Sequence, residues 1–186
     1  MNTFFKHSKF KDYVTKLHVS CACDVLPKSI IDLLDYGADV NLETSQGDTP
    51  LMFAIRYNKD ALEVIKTLII HGAKVNTKNR KDHFTPLMIA ASKGLVPVID
   101  YLLTNEKDQA RIDLKDKCDG TALFYAIKYQ HFDAAIYLIN KGSDCNIVTS
   151  KGNTPLIAAT LTTKGETVTK LLLQKRVKIE SENQNR

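Results

Sequence analysis

The sequence has little of several residue types that mark particular classes of protein. Its 186 residues include no Trp, four Cys, five Pro and eight Gly. So little Gly and Pro excludes a collagen-like or linker-rich chain. The four Cys, at Cys21, Cys23, Cys118 and Cys145, do not resemble a disulfide scaffold in a chain of this length. We therefore expect a reducing, intracellular location, which is cytoplasmic or, alternatively, nuclear or the cytosol of a host cell.

Long apolar runs are missing as well. No stretch reaches the roughly 18 apolar residues that a membrane span requires. The N-terminal residues 1–17 alternate Phe with Lys and lack the apolar core of a secretory signal, so we expect neither a membrane segment nor secretion. The apolar fraction of 44% argues against a disordered chain. The net charge of +5 is compatible with nucleic acid, an acidic protein or simple solubility.

Motifs of catalysis and metal binding are absent from the sequence. It has no Gly-rich phosphate loop, no Ser-centred nucleophile elbow and no paired carboxylates at comparable positions. Cys21 and Cys23 lie near His18, but residues two apart on a helix do not share a face, and a fourth zinc ligand is not evident. We expect a non-enzymatic protein with no cofactor and no metal.

A repeated pattern dominates what the sequence does contain. Five segments begin with Thr at successive spacings of 34, 36, 36 and 33 residues, and three of them continue with Pro-Leu. These Thr residues are Thr15, Thr49, Thr85, Thr121 and Thr154. Thr before Pro predicts an N-cap and the first position of a helix. A second apolar cluster with i, i+3, i+4 spacing follows in each segment and predicts a second helix with one buried face.

A second motif closes several of these segments. It reads Gly37-Ala38-Asp39-Val40-Asn41, Gly72-Ala73-Lys74-Val75-Asn76 and Gly142-Ser143-Asp144-Cys145-Asn146. The Gly residues are predicted to end the second helices in the left-handed conformation. Turns are then expected near Gly47, Gly120 and Gly152.

Two motifs in fixed order at one period resemble the ankyrin repeat, over nearly the whole chain. The resemblance implies an all-α solenoid of about five helix-turn-helix units joined by hairpin-like loops. The expected divisions are an N-terminal capping segment over 1–14, repeats within 15–178 and a disordered tail over 179–186. The five repeats are placed at about 10–41, 42–76, 77–113, 114–146 and 147–178.

Departures from the family pattern carry further expectations. The family usually has His after Thr-Pro-Leu, bridging neighbouring loops, and only His18 keeps it. The third repeat lacks the Gly that ends its second helix and has three extra residues at 106–108, so a protruding charged loop is expected at 105–108. Pro97 is expected in the first turn of that helix.

The apolar surfaces at the two ends of the repeat array must be shielded from solvent. Upstream of the first repeat, Phe4, Phe5, Phe10 and Tyr13 are interpreted as a hydrophobic cover, with an aromatic peptide motif for a partner as the alternative. The fifth repeat carries many Thr, Lys and Glu residues in its helices and suits a polar C-terminal cap.

Function is expected to lie on a binding surface. In proteins that this chain resembles, partners contact the loop tips and the solvent side of each first helix, which together form a concave face. The corresponding first-helix residues are Arg56, Tyr57, Ser92, Lys93, Lys128 and Tyr129, with Leu161 and Thr162 in the last repeat. The corresponding loop-tip residues are Ser45, Gln46, Asp48, Lys81, Asp82, Phe84, Lys117, Cys118, Ser150, Lys151 and Asn153.

Tyr and Arg are favoured interface anchors. The hypothesis is therefore an adaptor or inhibitor, monomeric, that binds an acidic or phosphorylated protein segment. Solvated charges without a binding role are the plain alternative. A nucleic-acid-associated basic scaffold is another, although the basic residues are interspersed with acidic ones and no recognition motif is present. A viral or pathogen protein that engages a host factor is a third.

Two asparagines suggest modification. Asn41 and Asn146 lie where the sequence resembles ankyrin-repeat asparagines that asparaginyl hydroxylases accept. The structural alternative is that their side chains brace the loops by hydrogen bonds.

Overall fold

The computed structural model describes residue 3 and residues 5–6, 13–23, 27–58, 61–162 and 165–184, without the side chains of residues 5–6, 13 and 176–184. Two short strands, β1 (Phe5–Lys6) and β2 (Tyr13–Val14), pair in antiparallel fashion. Helices make up the rest of the regular structure in the described residues. They are α1 (Lys16–Ala22), α2 (Pro27–Asp35), α3 (Pro50–Tyr57), α4 (Leu62–Ile70), α5 (Pro86–Ser92), α6 (Val96–Thr104), α7 (Ala122–Lys128), α8 (Phe132–Asn140), α9 (Pro155–Thr160) and α10 (Glu166–Gln184).

Two compact units make up the chain. The first unit comprises residues 1–90 and 97–111, and the second unit comprises residues 91–96 and 112–186. Among the described residues, no helix is both long enough and apolar enough to cross a membrane.

The Thr residues begin the first helices as predicted. Each Thr hydroxyl accepts a hydrogen bond from the backbone N–H three residues later, at 3.2 to 3.5 Å. Pro50 and Pro155 occupy the first helical turn, where their missing N–H costs nothing. Pro97 likewise lies in the first turn of α6. The five-fold repeat of the cap accounts for the five short first helices.

Left-handed glycines end the second helices, as expected. Gly37, Gly72 and Gly142 have φ of 85°, 90° and 93°. The residue after each glycine donates its N–H to a helix carbonyl five residues back, for example Ala73 to Leu68 at 2.9 Å. This closes the helix end and turns the chain into the loop.

The three-residue insertion exposes Glu106 and Lys107, in line with the expected charged loop, but both ends of the loop are tied to the repeats. The equivalent backbone bond runs from Ala110 to Leu102, eight residues back instead of five. Asn105 is buried and donates from its amide to the carbonyls of Tyr101, Leu102 and Asp108, so it replaces the missing glycine as the helix cap. Asp108 accepts from the N–H of Val75 at 3.0 Å. The loop is held down because its polar groups satisfy those of the preceding repeat.

The core of the first unit lies between its helix pairs. Helix α1 packs against α3, and α2 and α3 pack against α4. Leu51, Ile55, Ile65 and Leu68 are fully buried there. In the second unit, α7 packs against α8 and α9, and α10 packs against α8 and α9. Each helix pair buries one apolar face against its neighbour, as repeat packing requires.

His18 bridges two loops, as the resemblance implies. Its ring is fully buried, Nδ1 lies 2.8 Å from the Thr15 hydroxyl, and Nε2 lies 3.2 Å from the backbone oxygen of Asp48. Met52 and Met88 occupy the corresponding position in the next repeats and are also buried. Apolar contact has therefore replaced this bridge in those two repeats.

The two ends differ in how far the structure describes them. Val14 is fully buried beside Ala22 and Phe53, so the chain entering α1 covers apolar surface. The side chains of Phe4, Phe5, Phe10 and Tyr13, which the sequence analysis interprets as a cover, lie outside the described residues. At the other end, the expected tail from residue 179 is helical as far as Gln184. Arg176 stands where the earlier repeats have their terminating glycine, so the helix continues.

Candidate functional site

The predicted first-helix residues of the first unit differ in their exposure and in their contacts. Tyr57, at the end of α3, is 41% exposed, and its ring meets the edge of Phe53. Arg56 is half-buried, and its guanidinium lies 3.3 Å from the carboxylate of Asp48. Arg56 therefore holds the loop before α3, whereas a larger part of the Tyr57 side chain is exposed to solvent.

Hydrogen bonds connect the consecutive loop tips of the first unit. The side chain of Asn79 is buried, donates to Asp48 Oδ1 at 3.1 Å and accepts from the N–H of Phe84 at 2.8 Å. The backbone oxygen of Gln46 accepts from the N–H of Arg80 at 2.8 Å. Asp48 and Phe84, which the sequence nominates for binding, therefore take part in holding the loops. The exposed candidates at these tips are Ser45, Gln46, Lys81 and Asp82.

The second unit places a lysine beside two tyrosines. Lys128, at the end of α7, has its ammonium 5.5 Å from the ring centroids of both Tyr125 and Tyr129. The two rings are stacked, with centroids 6.2 Å apart. Tyr129 is 50% exposed and Lys128 is exposed. Cation–π attraction holds the ammonium at the surface without neutralising it.

The buried Tyr125 fixes the position of this group, in which it contacts Lys128 and Tyr129. Its hydroxyl donates to Asp116 Oδ2, and the other oxygen of Asp116 accepts from the N–H groups of Cys118 and Gly120 at 2.8 and 2.7 Å. Burial, followed by the hydrogen bond to Asp116 and its negative charge, raises the pKa of Tyr125 above its ordinary value. The phenol therefore stays neutral and fixes the position of the stacked rings.

We expect a stability loss in alkali that depends on Tyr125. The unfolded phenol ionises near pH 10, and the raised pKa means that the folded protein resists this ionisation. The resulting contribution is complete below about pH 10 and is lost as the pH rises above it. Urea unfolding at about pH 9 and pH 11 should give a larger drop in unfolding free energy for the natural protein than for Tyr125→Phe. Equal drops would contradict this prediction.

Some of the remaining candidates of the second unit are exposed, whereas others form hydrogen bonds that hold the loops. Lys93, Lys117, Ser150 and Lys151 are exposed. Ser92 accepts a hydrogen bond at its backbone oxygen from the ring of His131 at 3.0 Å, which joins the loop after α5 to the start of α8. The backbone of Asn153 exchanges hydrogen bonds with Thr149. Ser92 and Asn153 therefore hold their loops.

Two apolar residues on α9 and just after it are exposed to solvent. Ile157 is 43% exposed and Leu161 is 79% exposed. The polar cap that the sequence predicts for the last repeat therefore does not extend to this face. The repeat position of Leu161 predicts that it is a contact residue, but nothing in the sequence predicts that Ile157 is exposed as well.

The two asparagines have different surroundings. Asn41 donates to the backbone oxygen of Gly72 at 2.9 Å and accepts from the N–H of Lys74 at 2.8 Å, so it braces the next loop. Asn76 holds the Gln109–Arg111 stretch in the same way. Asn146 is exposed, and none of the described residues hydrogen-bonds to its side-chain amide.

Comparison with known families agrees with this geometry. Residues 17–116 and 108–183 match the profile of the family described as "Ankyrin repeats (3 copies)". The chain belongs to the ankyrin-repeat family. Ankyrin repeats are generally protein–protein interaction modules without enzymatic activity.

Relatives of this ankyrin-repeat chain differ widely in size. It is 35% identical over 141 residues to the "Probable 26S proteasome regulatory subunit p28" of Saccharomyces cerevisiae, covering 74% of this chain and 59% of that protein. It is 30% identical over 127 residues to human "Neurogenic locus notch homolog protein 1", covering 68% of this chain and 5% of that protein. A putative ankyrin repeat protein of Acanthamoeba polyphaga mimivirus is 30% identical over 64% of this chain and 16% of its own length. The chain thus spans less than two thirds of each of these relatives.

Proposed function

We propose that this protein is an intracellular adaptor or inhibitor that binds a protein partner through the ends of its first helices and its exposed loop tips. The observation that carries the proposal is the exposure of tyrosine at one repeat position in both units. Tyr57 is 41% exposed and Tyr129 is 50% exposed. Tyrosines supply large contact area at low entropic cost and are enriched where binding energy concentrates.

An acidic or phosphorylated segment is the proposed partner chemistry. Lys128 lies beside Tyr129, and its ammonium faces rings instead of a carboxylate within the described residues. An exposed ammonium of this kind offers an incoming anion a charge that is not already neutralised. Arg56 adds less, because Asp48 already neutralises it.

The first partner to test is a component of the 26S proteasome. The support is the 35% identity to a yeast protein named as a probable regulatory subunit of that assembly. We propose a cytosolic or nuclear location on the same ground.

The experiment is affinity capture from cell extract with mass spectrometry, using nuclease-treated extract. Tyr57→Ser and Tyr129→Ser remove the two exposed rings, and Tyr36→Ser is the control because Tyr36 is an exposed ring just beyond α2, away from the first helices. Capture of a specific protein that depends on Tyr57 or Tyr129, with an unchanged thermal melt, is the expected result. Capture that survives both changes, or salt-sensitive binding to DNA or RNA alone, would overturn the proposal.

Asn146, and not Asn41, is the proposed site of hydroxylation. The two hydrogen bonds from the Asn41 side-chain amide to the next loop must break before an enzyme can draw this asparagine out. The side-chain amide of Asn146 is instead exposed. Incubation with an asparaginyl hydroxylase should add about 16 Da, one oxygen, to the peptide that contains Asn146. Equal modification of Asn41, or no mass gain at Asn146, would contradict this proposal.

A further inference from the structure

The last repeat differs from a purely polar cap of the array, because it exposes a pair of apolar side chains. Ile157 and Leu161 are four residues apart at the end of α9, so they lie on one helical face. Leu161 is 79% exposed, far more than any leucine that packs inside the second unit. Apolar side chains that are grouped at the surface indicate a contact site, whereas single ones need no explanation.

The neighbouring helix supplies a positive charge next to this pair. Helix α7 packs against α9 in the second unit. Lys128 on α7 and Leu161 after α9 hold the same position in consecutive repeats, seven residues after Thr121 and Thr154. The ammonium of Lys128 is held 5.5 Å from two tyrosine rings, and no carboxylate among the described residues pairs with it.

The spacing of these groups sets the length of the segment that can join them. Packed helices lie about 8–10 Å apart, so side chains at equivalent positions of α7 and α9 are separated by about that distance. A segment in the polyproline II conformation advances about 3.1 Å per residue and completes a turn in three residues, so every third side chain faces the same surface. Two of its side chains that reach Lys128 and Leu161 are therefore about three positions apart.

We propose that this surface binds a protein segment in the polyproline II conformation in which an acidic residue and a large aliphatic residue lie three positions apart. The carboxylate contacts the ammonium of Lys128 beside the exposed ring of Tyr129. The aliphatic side chain covers Ile157 and Leu161. This deepens the proposed function, on which it rests, by naming the chemistry of the partner.

Charge argues against a second copy of this chain as the occupant. In a two-fold symmetric contact the same patch meets itself. Lys128 would then oppose or lie close to its own copy, and bringing like charges together in a desolvated interface is unfavourable. An acidic segment instead neutralises the lysine while its aliphatic residue buries the apolar pair.

Selection from a random peptide library on the full chain tests the proposal. Phage that display peptides of about nine residues are panned on the natural protein, on Lys128→Glu and on Leu161→Ser. Lys141→Glu is the matched control, because Lys141 also lies over a tyrosine ring, Tyr137 at 5.2 Å, but at the C-cap of the second helix of the repeat, α8. Thermal melts and size-exclusion chromatography with light scattering accompany each variant.

The natural protein and Lys141→Glu should both enrich peptides with Asp or Glu three positions from Leu, Ile or Met. Lys128→Glu should lose the acidic preference, and Leu161→Ser should lose the aliphatic one. A resynthesised peptide should bind Lys128→Glu at least about tenfold more weakly than the natural protein.

Several results would overturn the proposal. One is an enriched motif that survives Lys128→Glu, or that Lys141→Glu removes equally. Another is a natural protein that is dimeric and becomes monomeric on Leu161→Ser, which would assign the patch to a second copy. Absence of any enriched peptide would also reject it. The affinity capture that depends on Tyr57 or Tyr129 can still succeed in each case, so failure here is distinguishable from failure of the proposed function.

Discussion

Asp116→Ala should lower the free energy of unfolding by about 4 kcal/mol. The carboxylate is buried and accepts three hydrogen bonds, from the N–H groups of Cys118 and Gly120 and from the hydroxyl of Tyr125. Alanine leaves all three donors without their acceptor, and each such loss costs about 1–3 kcal/mol. Chemical denaturation followed by circular dichroism measures the difference.

Asp116→Asn is the control for this substitution. Its amide oxygen can keep the two backbone bonds, and its NH₂ group can donate to the Tyr125 oxygen after the hydroxyl turns. We expect it to lose only about 1 kcal/mol, because the bonds become neutral. If alanine and asparagine destabilise equally, the loop is not held by these bonds.

Gly47→Ala should destabilise by about 3–4 kcal/mol. The glycine has φ of 79°, where a Cβ costs about 1–2 kcal/mol. A Cβ at this position would also collide with the backbone nitrogen of Arg80, which donates to Gln46. Because a backbone atom cannot move aside cheaply, this loop-to-loop contact must open.

Gly152→Ala provides the matched comparison. Gly152 has nearly the same φ, 77°, but a Cβ there would meet no atom within 4 Å. It should therefore cost only the backbone strain, about 1–2 kcal/mol. Equal losses for the two variants in denaturant unfolding would show that Arg80 contributes nothing to the effect at Gly47.

Local regularities explain why much of the fold could be predicted. The hydroxyl of Thr49 and the φ of Gly72 act within a few residues of themselves, so their roles follow from sequence spacing alone. The Asn105 cap could not be predicted in this way. The sequence marks the missing glycine and the extra residues, but only the folded loop brings the amide of Asn105 to the helix carbonyls.

The candidate site was less predictable for a related reason. The repeat period nominates Arg56 and Lys128 as equivalent positions. Their environments differ, because Asp48 pairs with Arg56 whereas two tyrosine rings surround Lys128. A repeat position specifies where a side chain starts, and the residues around it that do not repeat determine what it contacts.

By itself, the sequence determined the ankyrin repeats, their caps and the left-handed glycines, because these depend on contacts within one repeat. The exposure of the aligned surface residues, and so their availability to a partner, depends on how the repeats pack in the folded molecule. Hydrogen bonds between consecutive repeats join residues that are about 30 to 40 positions apart, such as Asn79 with Asp48 and His131 with Ser92. Pairings over such separations leave no periodic pattern in the sequence.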